Sequence, residues 1–185
     1  MMIRKLVSFF ALLLLAVALA GAPLRAASTL HVTDWAELLP KGLYDFIPQD
    51  GMTSDMWFDP EFQKKITEAE RRIRPELNSR PISLPGYMVP LVYKGDDVYE
   101  FLLVPSAGQC IHVPPPPVNQ TVFVKLEKPT PIRTYGMPVI VEGALSTATT
   151  ETEYAESGYR IEASKVIDFD FDVWEARLEE IGISK

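Results

Sequence analysis

The sequence is poor in the residues that build metal clusters and disulfide frameworks. Among 185 residues there are one cysteine and two histidines. A single cysteine excludes an internal disulfide framework and any cysteine-rich zinc module. Glycine, with 10 residues, is outnumbered by proline, with 16. That balance points to strands and loops with short helices. The chain contains no G-x-S-x-G elbow, no phosphate-cradling glycine loop and no H-E-x-x-H, so the common hydrolase, nucleotide-binding and zinc-peptidase signatures are missing. Positive charge is also in deficit: 18 Lys and Arg stand against 25 Asp and Glu, a formal net charge of −7. An acidic domain has little electrostatic grip on nucleic acid or anionic lipid, and solubility accounts for the acidity. At this length the chain is one domain with one core.

The one long apolar run lies at the N-terminus. Arg4 and Lys5 precede Leu6 to Ala20, and Leu24-Arg25-Ala26 supplies a small-x-Ala cleavage pattern. Residues 1–27 therefore read as a secretory signal peptide, which places the protein in the periplasm. The run is short for a spanning helix, which needs about 20 residues; an uncleaved N-terminal anchor is the competing reading. No cysteine stands near the cleavage region, so lipid anchoring there is not available. Removing Arg4, Lys5 and Arg25 takes the net charge from −7 to −10. No second apolar run follows, so no stable membrane insertion is expected after cleavage.

Residues 28–58 read as an irregular N-terminal segment, with His31 in a frayed stretch. Within it, Thr33 or Asp34 caps a short helical turn that Pro40 stops, giving Trp35, Leu38 and Leu39 a common face. Asp59 as cap and Pro60 at the first position open an amphipathic helix over 59–75, with Phe62, Ile66, Ala69 and Ile73 on one face and Pro75 as its end. Residues 77–168 then switch to strands. A long strand from Ile82 to Tyr93 is bent at Pro85-Gly86, and Lys94-Gly95-Asp96-Asp97 turns it into a partner strand, Val98 to Val104. Further strands are expected over Thr121–Leu126, Val139–Leu145 and Gly158–Ile167, with a mobile polar hairpin loop over 146–157. Residues 169–185 carry a short C-terminal helix with Trp174, Leu178 and Ile181 on one side. The expected fold is mostly β (α+β): a small five-stranded barrel like the oligonucleotide/oligosaccharide-binding (OB) fold, preceded by an amphipathic helix. A β-sandwich fragment is the alternative.

The most unusual stretch is Gly108-Gln109-Cys110-Ile111-His112-Val113, followed by Pro114, Pro115, Pro116 and Pro117, then Val118-Asn119-Gln120. In an extended chain Cys110 and His112 point to one face. Together they suit a soft or borderline metal such as zinc or copper, or a thiolate–imidazolium pair with a reactive thiol. A buried structural cysteine competes with both. A zinc site wants three or four ligands, so a carboxylate or a second chain has to complete one. The proline run, polyproline-like and without amide donors, offers a docking surface with Asn119 and Gln120 beside it. A Cys110–His112–Asn119 hydrolase trio is disfavoured by its two-residue spacing and by the lack of a visible oxyanion hole. Asp168, Asp170 and Asp172 lack the glycine turn and closing glutamate of a calcium loop and read as solvated carboxylates.

These residues, with Pro85-Gly86-Tyr87-Met88-Val89-Pro90-Leu91, Glu100 to Pro105, Val141-x-Gly143-x-Leu145 and Gly158-Tyr159-Arg160, resemble the bacterial family catalogued as domain of unknown function 3299. The resemblance spans roughly residues 33–168. It implies exported small proteins without an assigned reaction, some associated with ABC-type transport systems, including metal-linked ones. Val118 stands where that pattern continues with proline, and Gln109 where a small residue is usual. Three readings follow. The first is a non-enzymatic periplasmic accessory or binding protein, meeting an envelope protein or transporter component and holding metal at Cys110 and His112. The second is a thiol-dependent enzyme or redox sensor using Cys110. The third is a structural interaction module docking through Pro114–Pro117, Asn119 and Gln120.

Overall fold

The computed structural model describes residues 31–108, 116–134 and 136–183. Residues 1–27, Cys110, His112, Pro114 and Pro115 lie outside the described residues. The described chain forms a closed barrel with small helical elements before and after it.

Local sequence sets the N-terminal elements. Asp34 Oδ1 accepts from Ala36 N at 2.8 Å, and Glu37 Oε1 accepts from Asp34 N at 3.0 Å. This reciprocal cap starts a 3-10 turn over Trp35–Leu38, whose Leu38 is fully buried. Residues 28–58 are less irregular than expected, because Ser54–Phe58 form a short helix. Asp59 Oδ1 accepts from Glu61 N at 2.9 Å and opens the helix Pro60–Glu70, with Phe62 and Ala69 facing inward. That helix stops at Arg71, well before Pro75. Ala69 O in its last turn accepts from Arg72 N at 3.0 Å. Leu77 closes a second 3-10 turn, Pro75–Leu77.

The barrel strands are β1 (Pro81–Lys94), β2 (Asp97–Val104), β3 (Val122–Pro131), β4 (Pro138–Ser146) and β7 (Tyr159–Asp168), in the order β1-β2-β3-β7-β4. β1 closes the barrel by pairing twice. Its first half, Pro81–Tyr87, runs antiparallel to β4; from Tyr87 onward it pairs with β2. The change of partner falls at Tyr87; the register with β4 runs unbroken through Pro85 and Gly86, and the irregularities of β1 lie further on, between Pro90 and Tyr93, rather than at the expected Pro85-Gly86 bend. A Cβ on Gly86 would lie 2.9 Å from the Val104 carbonyl oxygen, so glycine permits the close approach. β3 and β7 pair in parallel, and the other ladders are antiparallel. This is the OB arrangement.

β3 runs five residues past the expected end at Leu126, through Pro129 and Pro131. Its pairing with β7 ends at Leu126 and only β2 continues alongside, so this end is an edge, where proline is tolerated. The polar stretch after β4 contains a small ladder, β5 (Thr150–Glu151) with β6 (Glu156–Ser157). β4 and β7 are closest at Gly143, where a Cβ would lie 2.3 Å from the Glu162 carbonyl oxygen. The core is built of Val, Leu and Ile with Phe101 and Tyr159, and Val32, Leu38 and Leu77 join it from the N-terminal segment. The Tyr159 hydroxyl donates to Leu38 O at 2.6 Å and accepts from Arg74 N at 2.7 Å. Burial raises its pKa above the usual tyrosine value. The C-terminal helix, Phe171–Glu180, follows β7.

Candidate functional site

The described part of the proline motif is an internal bolt. Val118–Gln120 form a 3-10 turn after Pro117. Asn119 is fully buried, and its Nδ2 donates to Ala69 O at 2.9 Å and to Arg72 O at 3.1 Å. Ala69 O also accepts from Arg72 N at 3.0 Å, so Asn119 adds a second donor there and ties the end of the Pro60–Glu70 helix and the residues after it to the Val118–Gln120 turn. Gln120 Nε2 donates to Trp35 O at 3.2 Å. Thr121 Oγ1 donates to Pro117 O at 2.9 Å, and Gly158 N to Val118 O at 2.7 Å. Asn119 therefore presents no side-chain surface to a partner, and Gln120 acts through Trp35. Pro116 and Pro117 are half-buried.

Trp35 is one wall of an open cleft of about 370 Å³. Its indole Nε1 donates to Pro85 O of β1 at 2.7 Å, so the side chain is held by β1 and the backbone by Gln120. Tyr87 and Pro105 enter from β1 and the end of β2, and Pro138 from the start of β4. Phe169, Phe171 and Trp174 form the opposite wall. Phe169 meets Phe171 edge-on with centroids 5.3 Å apart, and Trp174 at 6.4 Å. These spacings suit attractive aromatic pairs. Phe171 is nevertheless 76% exposed.

Two devices place this aromatic wall. Asp170 caps the C-terminal helix, its Oδ1 accepting from Asp172 N at 2.9 Å and Val173 N at 3.2 Å. Arg177 then ties the helix to the barrel: its Nη2 and Nε each lie 2.5 Å from an oxygen of Glu142 on β4. Glu142 and Glu180 raise the Arg177 pKa, and the ion pair, with one hydrogen bond from Nη2, holds the helix to β4. Asp168 pairs with Arg133.

His31 is placed rather than frayed. Val32 beside it makes a parallel bridge to Ile82, with Val32 N donating to Pro81 O at 3.0 Å and Ser83 N to Val32 O at 2.9 Å. Burial lowers the His31 pKa, and the Arg177 charge lowers it further, against Glu142 and Glu37. Among the described residues no group of three or more His, Cys, Asp or Glu is arranged to hold a metal.

Sequence reasoning gave Trp35 and Trp174 packing roles and passed over Phe169 and Phe171 as a site. The available signal was Phe169-x-Phe171-x-x-Trp174 within the acidic stretch that follows β7.

Comparison with known proteins agrees with this architecture. The family model described as a protein of unknown function (DUF3299) matches residues 35–168. The chain belongs to the DUF3299 family. A crystal structure of a DUF3299 protein from Pseudomonas aeruginosa PAO1, at 2.45 Å resolution, is similar at 34% identity and a TM-score of 0.57. The match covers 76% of this chain and 96% of that one. No curated protein matches at a significant level. In this DUF3299 chain the matched region contains the barrel and Trp35, while Phe169, Phe171 and Trp174 follow just beyond it.

Proposed function

We propose that this DUF3299 protein is an exported, non-catalytic binding protein of the cell envelope that meets an envelope protein or transporter component through its aromatic cleft. The observation that carries this reading is Phe171, a large ring 76% exposed at a concave site otherwise walled by aromatic and proline surface. Exposed apolar surface gathered in a concavity is the usual character of a contact site. The capped, ion-paired helix and the doubly held Trp35 preorganise the walls, which lowers the ordering cost of binding. Export is supported by the basic start, apolar run and small residues of positions 1–27. Among the described residues no helix is long and apolar enough to cross a membrane. The metal-handling form of the proposal adds Cys110 and His112 as zinc or copper ligands, supported by their two-residue spacing.

A thermal-shift panel of proline peptides, oligosaccharides, lipids, zinc and copper tests the proposal on wild type and Phe171→Ser. A ligand at a hundred times its Kd adds about 2.7 kcal/mol, which raises Tm by roughly 5–10 °C in a domain this size. A cleft ligand shifts the wild type and not the variant. If every ligand that shifts one shifts both equally, the cleft is not the binding site.

A further inference from the structure

We propose that the aromatic cleft takes an extended, proline-containing peptide segment bearing a basic side chain. The inference rests on the reading of the cleft as the binding site and names the chemistry of its occupant.

The first reason is that the side chains of the lining offer few hydrogen-bonding groups beyond the Tyr87 hydroxyl, the Trp174 indole N–H and the Glu175 carboxylate. The Trp35 indole N–H and the Pro85 carbonyl are engaged with each other at 2.7 Å. Prolines offer no N–H, and Phe169 and Phe171 offer ring surface alone. A sugar would bring hydroxyls that lose water in the cleft and find few replacements. A proline run has no N–H to desolvate, and its extended backbone is already ordered. Its flat rings suit walls made of aromatic rings and other prolines. Tyr87 brings one phenolic hydroxyl, a donor of the kind that peptide carbonyls accept.

The second reason is charge. Glu175 lines the cleft and no Lys or Arg does. Asp170 and Asp172 stand at the start of the same helix. The chain as a whole carries net negative charge. A Lys or Arg beside the proline run is drawn to this rim, and an arginine there can stack on the exposed Phe171 ring.

The test is a tryptophan-fluorescence titration of the full chain after signal removal. The probe is a nonapeptide of eight prolines around a central arginine, compared with an all-proline nonapeptide. Saturable binding of the arginine peptide is expected. Phe171→Ser is expected to weaken it by about tenfold or more, the loss typical of a central aromatic contact. Glu175→Lys is expected to weaken the arginine peptide several-fold and leave the all-proline peptide within about twofold. Phe171 and Glu175 are exposed, so unchanged Tm values verify that both variants fold. Absence of peptide binding, with an oligosaccharide or a lipid binding wild type but not Phe171→Ser, overturns the peptide assignment and leaves the cleft as a binding site. Peptide binding that Phe171→Ser does not alter overturns both readings.

Discussion

Replacing Asn119 by alanine is expected to destabilise the protein well beyond an ordinary polar substitution. The side chain is fully buried and donates to two carbonyls, Ala69 O at 2.9 Å and Arg72 O at 3.1 Å. Removing the amide takes the Asn119 donor from Arg72 O, while Ala69 O keeps the Arg72 N–H at 3.0 Å. A buried polar group left unpaired costs about 1–3 kcal/mol and an ordinary hydrogen bond contributes about 0.5–1.5 kcal/mol. Together these place the total at about 2–4 kcal/mol. In a domain of this size each kcal/mol lowers Tm by about 2–4 °C, so a fall of roughly 5–15 °C is expected. Asn119→Asp should be at least as harmful, because a carboxylate oxygen then faces the same carbonyls. Gln120→Ala removes two part-buried bonds, to Trp35 O and to Asn119 O, and should cost about 1 kcal/mol. Thermal unfolding measures the order, and hydrogen exchange should show loss of protection at the end of the Pro60–Glu70 helix. An Asn119→Ala protein within about 2 °C of wild type refutes this role for Asn119.

Gly143→Ala drives a Cβ to 2.3 Å from the Glu162 carbonyl oxygen; a loss of about 3 kcal/mol or more is expected in denaturant unfolding, because backbone rather than a mobile side chain must move. His31 has a lowered folded-state pKa, so the unfolded chain takes its proton first: the histidine's contribution to stability is complete above the unfolded value near 6.5 and declines as pH falls below it. Groups facing it are Arg177 from the C-terminal helix, Glu142 from β4 and Glu37 from the first turn. His31→Phe should flatten that decline, and identical pH–stability curves would count against it. The metal-handling form of the proposal predicts stoichiometric zinc or copper uptake by wild type and its loss in Cys110→Ser, measured by elemental analysis; no uptake by wild type, or full metal content in the variant, would remove the thiol as a ligand.

The parts of the fold visible in the sequence are those written in short-range chemistry. Asp59-Pro60 marked a helix start, and the Asp59 side chain does cap Glu61 N. Lys94-Gly95-Asp96-Asp97 marked the β1–β2 turn, and β1 ends at Lys94 while β2 begins at Asp97. Pro85-Gly86 precedes the residue, Tyr87, at which β1 changes partner, but the irregularities of the strand lie at Pro90 to Tyr93. The helix ends at Arg71, before Pro75, where backbone N–H groups of the following residues close onto Ala69 O and Asn119, 50 positions away, adds a bond to the same carbonyl. Pro75 was the only stop available locally. The cleft was hidden for a related reason: Trp35, Tyr87 and Trp174 meet only after the barrel closes, and each has a sufficient local reading as core or helix face. His31 looked frayed because nothing in its neighbours announces the bridge from Val32 to Ile82.

The central claim is that binding occurs at the aromatic cleft, and the three indole N–H groups report on it directly. The chain has three tryptophans; Trp35 and Trp174 line the cleft, and Trp57 lies on the Ser54–Phe58 helix outside it. A heteronuclear NMR titration with the arginine-centred proline peptide should move the Trp174 and Trp35 indole resonances together along one binding curve and leave Trp57 in place. Movement of Trp57 alone, or no movement of Trp174 at saturation, would contradict the account.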